Sequence, residues 1–181
     1  MRKEKGITFY QMRVRRFGMT LPFFQVGQIL RNEDYDVILE RYSVMGGAGY
    51  LLSKAWNVHL VLEVNGPHIQ EAIDLGQLRN PILISALKKW TDLQYAHAKR
   101  IFMCCNCVDD GYKKKLLGRY WQKGVYVKNC VLKHTVKNEI GIRKQYGLGT
   151  STVFVFIGTF KPWMGVIDLV KAAAQLKKKF P

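Results

Sequence analysis

Residues 153–181 read VFVFIGTFKPWMGVIDLVKAAAQLKKKFP. Thr152–Ile157 is apolar at nearly every position, the pattern of a strand buried on both faces in the middle of a parallel sheet. Gly158 to Gly165 make a turn. Val166, Leu169, Val170, Ala173 and Leu176 then recur at helical spacing and predict an amphipathic helix over 165–179 with those residues inward. A parallel neighbour needs a further crossover of about a dozen residues, and none follow. The pattern therefore predicts a second sheet that is begun and not closed.

Working upstream, the spacing gives the same alternation. Residues 130–150 lack strong periodicity and read as a connector. GVYVKN (124–129) reads as a strand, and RIFMCC (100–105) as another, with Asn106 as N-cap of a helix through Leu117 and Asp109 in its first turn. A long helix is predicted over 81–98, with Ile82, Leu83, Ala86, Leu87, Trp90, Leu93 and Ala96 on one apolar face. VHLVLEV (58–64) is the clearest buried strand, and Asn65-Gly66-Pro67 ends it because a turn dipeptide followed by proline cannot continue a ladder. Residues 46–55 read as a helix whose glycine-rich start packs close to a neighbour, and DVILE (36–40) as a short buried strand. Phe23, Val26, Ile29 and Leu30 predict a helix over 21–32, and residues 1–20 are basic and poorly patterned. Strand and helix alternate throughout, so the fold class is α/β with a Rossmann-like parallel sheet. The expected division is a partial lobe over 1–130, a connector over 131–150, and the first βα unit of a second Rossmann-like lobe over 151–181.

The chain of 181 residues carries 29 Lys+Arg against 13 Asp+Glu, a net charge of +16. That balance favours anionic partners. The clusters Arg13–Arg16, Lys113–Lys115 and Lys177–Lys179 read most simply as solvated helix faces and termini. Hydrophobic residues at 48%, with 12% aromatics, suffice for a real core. No run reaches the roughly 18–20 apolar residues of a membrane span, the N-terminus lacks a signal-peptide core, and four cysteines fit a reducing compartment. A cytoplasmic protein, with possible peripheral contact with an anionic membrane face, is the expectation.

In open parallel sheets, ligands bind beyond the carboxyl ends of the strands. That rule selects Glu40-Arg41-Tyr42-Ser43, Asn65-Gly66-Pro67-His68, Cys105-Asn106, Asn129 and Gly158-Thr159-Phe160-Lys161. Gly158 allows close backbone approach, the amides near Gly165 favour a phosphate, and Lys161 adds a compact positive charge. Ordinary strand–helix turn chemistry explains the same glycines. Glu63, inside a strand, is placed to orient a neighbour or to pair with a buried base. His68 reads either as a solvated loop histidine or as a group near a bound acceptor.

Taken in order, DVILERYS (36–43), LVLEVNGP (60–67), RIFMCCNCVDDGYKKKLL (100–117), GVYVKN (124–129) and VFVFIGTFKPWMGVIDLVKAA (153–173) resemble glycosyltransferase family 4, retaining nucleotide-sugar-dependent enzymes of the GT-B fold. The second and first segments are similar to that family's acceptor-lobe pattern DviyeRys…lvlEvNaP. The last is similar to the strand opening the donor lobe in a subgroup reading GsFkPWHGv. The resemblance implies transfer of a sugar from a nucleoside-diphosphate sugar to the hydroxyl of a glycan or lipid-linked acceptor, in a cleft between two lobes. It implies no resident cofactor and no metal; the nucleotide sugar is a substrate. Gly158, Thr159, Lys161 and Gly165 would face the donor phosphates, and Arg41, Asn65 and His68 the acceptor side of the cleft. No nucleic acid is expected, and no catalytic residue is assigned.

Departures accompany the likeness. Many members have Arg where this chain has Thr159, and Lys or His where it has Met164. Lys128-Asn129-Cys130-Val131 keeps the asparagine and valine of the family's PNGVD-like signature and loses its Pro, Gly and Asp. The family's glycine-rich first loop and its paired glutamates would lie outside the chain, so the resemblance implies a fragment truncated at both ends and inactive as a transferase by itself. Two other readings compete. One is a basic, non-catalytic binding module for an anionic membrane, a partner subunit or nucleic acid. The other is a zinc site from Cys104-x2-Cys107 and Cys130-x3-His134, against which Cys104 and Cys105 fit as small buried thiols at a strand end.

Overall fold

The structure is a computed structural model that describes residues 2–4, 7–9, 26–28, 35–104, 110–128, 130 and 141–179. The chain divides into two compact units, Met1–Val131 and Leu132–Pro181.

The first unit opens with a short antiparallel pair, β1 (Arg2–Glu4) and β2 (Ile7–Phe9). Its main body alternates β3 (Val37–Arg41), α1 (Ala48–Trp56), β4 (His59–Glu63), α2 (His68–Asp74), α3 (Pro81–His97), β5 (Arg100–Met103), α4 (Asp110–Leu117), a 3₁₀ turn (Gly118–Lys123) and β6 (Gly124–Tyr126). The four strands β3-β4-β5-β6 lie side by side in that order and are all parallel. This is the expected α/β architecture. The helix over 21–32 and the cap at Asn106 fall outside the described residues, save 26–28, which are helical.

Period-2 alternation sets the core. Leu60, Leu62 and Val64 point to one face of β4 and Ile101 and Met103 to the same face of β5, where they meet Tyr50 of α1, Tyr95 and Ala98 at the end of α3, and Leu117 of α4. Burying each aliphatic side chain is worth about 1.5–3 kcal/mol. The opposite face is different. Val37 and Leu39 remain more than half exposed, so β3 is not the fully buried strand its composition suggests. Among the described residues, helices cover one face of the sheet.

The helix ends are fixed by named groups. Asn80 caps α3, its Oδ1 accepting from the amides of Ile82 (2.9 Å) and Leu83 (3.1 Å), with Pro81 at the first helical position. At the other end the Lys123 ammonium donates to the carbonyls of Tyr95 (3.1 Å), Ala96 (2.6 Å) and Ala98 (2.9 Å), offsetting the carbonyl end of the helix dipole. The start of α1 is held by the Glu40 carboxylate, which accepts from the amides of Gly47 (2.8 Å) and Tyr50 (3.2 Å). Gly47 has φ +121°, and a Cβ there would stand 2.5 Å from the Trp90 ring. The close packing expected of the glycine-rich start is therefore present.

One helix face differs from its expectation. The buried residues of α3 are Leu87, Gln94 and Tyr95, with Ala98 continuing the line, whereas Ile82, Leu83 and Leu93 are exposed. The inward face is turned about 100°, one residue's step, from the stripe drawn through apolar residues. This face carries polar groups: Gln94 Nε2 donates to the Trp90 carbonyl at 3.4 Å, while its Oε1 has no partner among the described residues. Thr91 Oγ1 donates to the Leu87 carbonyl at 2.8 Å and so enters the interface without an unpaired donor.

The second unit holds α5 (Ile142–Gln145), a 3₁₀ turn (Pro162–Met164) and α6 (Val166–Lys179). Arg143 donates to the carbonyls of Gly149 and Ser151, folding the segment between them. The strand expected at 152–157 does not form: residues 151–161 carry no ladder. A strand exists only where a neighbour pairs its amides and carbonyls, and the described residues of this unit supply none. Val166, Leu169 and Ala173 of α6 are half-buried as expected, while Val170 and Leu176 are exposed.

Candidate functional site

The turn after β3 and the turn after β4 meet at the carboxyl end of the parallel sheet. The Tyr42 amide donates to Glu63 O at 2.9 Å, continuing the ladder by one residue, and Val64 N does the same to Phe102 O at 2.7 Å. Beyond these bonds the chain turns through Asn65-Gly66-Pro67 into α2. A cavity of about 190 Å³ opens here, room for roughly six waters. Its walls are Tyr42 and His68 from the two turns, Thr91 and Tyr95 from α3, and Leu116 from α4, with Lys88 and Lys115 also lining it.

The tyrosines form a rigid wall. Tyr42 is 5% and Tyr95 7% exposed, and their rings meet edge to face at 5.7 Å. The His68 ring lies 5.6 Å from that of Tyr42. Tyr42 Oη and Thr91 Oγ1 are 2.7 Å apart. The Thr91 proton is committed to the Leu87 carbonyl, so the Tyr42 hydroxyl donates and Thr91 accepts. Burial raises the pKa of both tyrosines, with the neighbouring Tyr42 adding to the effect on Tyr95. Both stay neutral hydroxyls across the physiological range and can only donate or accept hydrogen bonds there.

No aspartate or glutamate lines the cavity. Among the described residues, Lys88 and Lys115 have no hydrogen-bonding or carboxylate partner. The cavity is thus apolar and aromatic with an unbalanced positive rim.

Of the acceptor-side residues chosen from sequence, His68 lies in the cavity. Arg41 and Asn65 do not line it; they meet around Glu63. Arg41 Nε is 3.5 Å from Glu63 Oε1, and Asn65 Nδ2 donates to the same oxygen at 2.8 Å. A carboxylate only accepts, which fixes the orientation of the Asn65 amide. Its Oδ1 is buried with no partner among the described residues. Glu63 orients its neighbours, as its place in a strand suggested. The ion pair is largely exposed on the arginine side, and such pairs contribute about 0–1 kcal/mol.

The four donor-side residues lie in the second unit. Gly158 and Thr159 are exposed in the irregular segment. Lys161 Nζ stands 5.1 Å from the Trp163 ring centroid. Gly165 has φ +69° and precedes α6, and a Cβ there would meet nothing within 4 Å. Its backbone conformation, and not crowding, is what calls for glycine. Cys105, Asn106 and Asn129, also picked from strand ends, fall outside the described residues. So do Cys107 and His134 of the zinc reading; among the described residues no group of three or more metal-ligating side chains occurs. Among the same residues no helix is long and apolar enough to cross a membrane.

Sequence reasoning missed Lys88, Thr91, Tyr95 and Lys115. The first three stand at i, i+3 and i+7 on α3, a spacing that puts them on one face. Lys115 was hidden inside a lysine run read as solvated. No protein-family model, curated protein or solved structure matches the chain.

Proposed function

We propose that the Tyr42–His68 cavity holds the acceptor in a nucleotide-sugar-dependent glycosyl transfer of the GT-B, family 4 type. The observation that carries this is its position. The cavity opens at the carboxyl ends of two neighbouring parallel strands, built from the turns that close DVILERYS and LVLEVNGP. The aromatic wall suits the C–H face of a sugar ring, and the Tyr42–Thr91 pair and His68 offer polar contacts to its hydroxyls. In the transfer, the bond from the anomeric carbon to the diphosphate oxygen breaks, a bond to the acceptor oxygen forms, and the acceptor hydroxyl gives up its proton. The charge that develops on the departing diphosphate needs nearby donors. In enzymes of that family helix amides and basic side chains supply them.

Saturation-transfer NMR of the full chain with monosaccharides tests the acceptor site without requiring turnover. Sugar ring protons are expected to receive saturation, and Tyr42→Ala and His68→Ala to abolish it. Sugars that receive none, or contacts that survive both substitutions, contradict the proposal.

A second reading draws on a separate feature. Lys113 and Lys114 stand 5.7 and 4.7 Å from the Trp121 ring centroid, and Arg119 lies over Tyr120 at 5.0 Å. Lys113 and Arg119 are already paired with Asp110 and Asp92, so of these three cations Lys114 is the one left to meet an anionic surface. Vesicle co-sedimentation at low and high salt tests it; binding indifferent to salt argues against an electrostatic surface.

A further inference from the structure

We infer that the Tyr42–His68 cavity takes a phosphate-bearing sugar, with the phosphate held by Lys88 and Lys115; this rests on the acceptor-site reading above. Three observations lead to it. Lys88 and Lys115 reach one cavity from two different helices, α3 and α4, and neither has a carboxylate partner among the described residues. The cavity lining contains no acid at all. Both lysines are exposed; a ligand that brings a negative charge supplies a partner for both cations, whereas a neutral sugar does not.

The residue type is compatible with a phosphate. The two-pronged arginine guanidinium matches carboxylate and phosphate alike. A lysine ammonium is a compact point charge that serves a tetrahedral phosphate equally well from any side. The cations here are lysines, with His68 beside them. The volume selects a sugar phosphate over phosphate alone. About 190 Å³ leaves space for a ring once a phosphate is seated, and Tyr42 and Tyr95 offer that ring an aromatic wall. The same chemistry is presented by a soluble sugar phosphate and by a glycosylated lipid phosphate at a bilayer surface.

Isothermal titration of the full chain with glucose phosphate, at low salt, tests the inference. Binding is expected, and Lys88→Gln and Lys115→Gln are each expected to weaken it about tenfold, the usual size of a charge-assisted contact. Lys89→Gln is the control. It removes the same charge from the next residue of α3, outside this cavity, and is expected to leave affinity unchanged. Vesicles of phosphatidylcholine with phosphatidylglycerol separate the two sources. Co-sedimentation that glucose phosphate displaces, and that either cavity substitution weakens, points to a lipid phosphate; glucose phosphate binding without co-sedimentation points to a soluble ligand. Glucose binding as tightly as glucose phosphate overturns the inference and leaves the acceptor-site reading standing. An equal loss in all three lysine variants also overturns it, because net charge then explains the binding. Absence of any sugar contact in the saturation-transfer experiment is the separate result that removes the acceptor site itself.

Discussion

The two units carry the same kind of sequence and put it to different use. In the first, apolar strand, turn and helix repeat until β4 and β5 are flanked on both edges, and Leu62, Ile101 and Met103 have no measurable exposure. In the second, an equally apolar run, Thr152–Ile157, precedes an equally amphipathic helix, yet Val155 is 75% and Ile157 91% exposed. Composition is not what separates them. A strand becomes a strand through its neighbours, and a side chain is buried only when another layer covers it.

The largest expected effect breaks the comparison at its core. Leu62→Ala should cost about 2–5 kcal/mol, transfer plus cavity, read as a fall in the urea midpoint. Val155→Ala should stay within about 0.5 kcal/mol, as surface substitutions do. Equal losses would mean that the second unit also has a packed interior.

A pair of glycines sharpens the contrast. At Gly47, φ +121° and the Trp90 ring 2.5 Å from a prospective Cβ combine backbone strain with overpacking. Gly47→Ala should cost about 2–4 kcal/mol. At Gly165 only the left-handed φ of +69° opposes a side chain, so Gly165→Ala should cost about 1–2 kcal/mol. The same denaturation curves decide both.

The smallest effect concerns pH. The His97 Nε2 and Ser53 Oγ are hydrogen-bonded across α1 and α3, with the Tyr50 ring against the imidazole. Burial, then Lys54 and Lys123, lower the pKa of His97 below the ordinary 6.5. The unfolded chain therefore takes up this proton at higher pH than the folded one. The contribution is fully present above about 6.5 and is lost as pH falls through the folded value. The wild type should lose more stability than His97→Gln as the pH is lowered from about 7 to 5; parallel curves would contradict the assignment.

Much of the first unit is legible in the sequence because its signals are local. Asn65-Gly66-Pro67 stops β4 wherever it occurs, and the alternation of VHLVLEV fixes which side chains share a face. The rotation of α3 was not legible. Ile82, Leu83 and Leu93 are as many as the apolar residues buried on the true inward face, Leu87, Tyr95 and Ala98, and a count of apolar positions cannot know that Thr91 satisfies its own hydroxyl through Leu87. For the same reason the cavity was half-read. His68 and Tyr42 follow from the strand-end rule, but Thr91, Tyr95 and Lys88 reach it only once the helix is correctly turned. The strand at 152–157 failed for a different reason: its propensity is real, and the partner that would realise it is absent from the described residues.

The direct test of the functional account is a map of amide chemical shifts in the ¹⁵N-labelled full chain titrated with glucose phosphate. The account predicts perturbations gathered at Tyr42, His68, Lys88, Thr91 and Lys115. Shifts confined to the Lys177–Lys179 end of α6, or spread evenly over the basic surface, would contradict it.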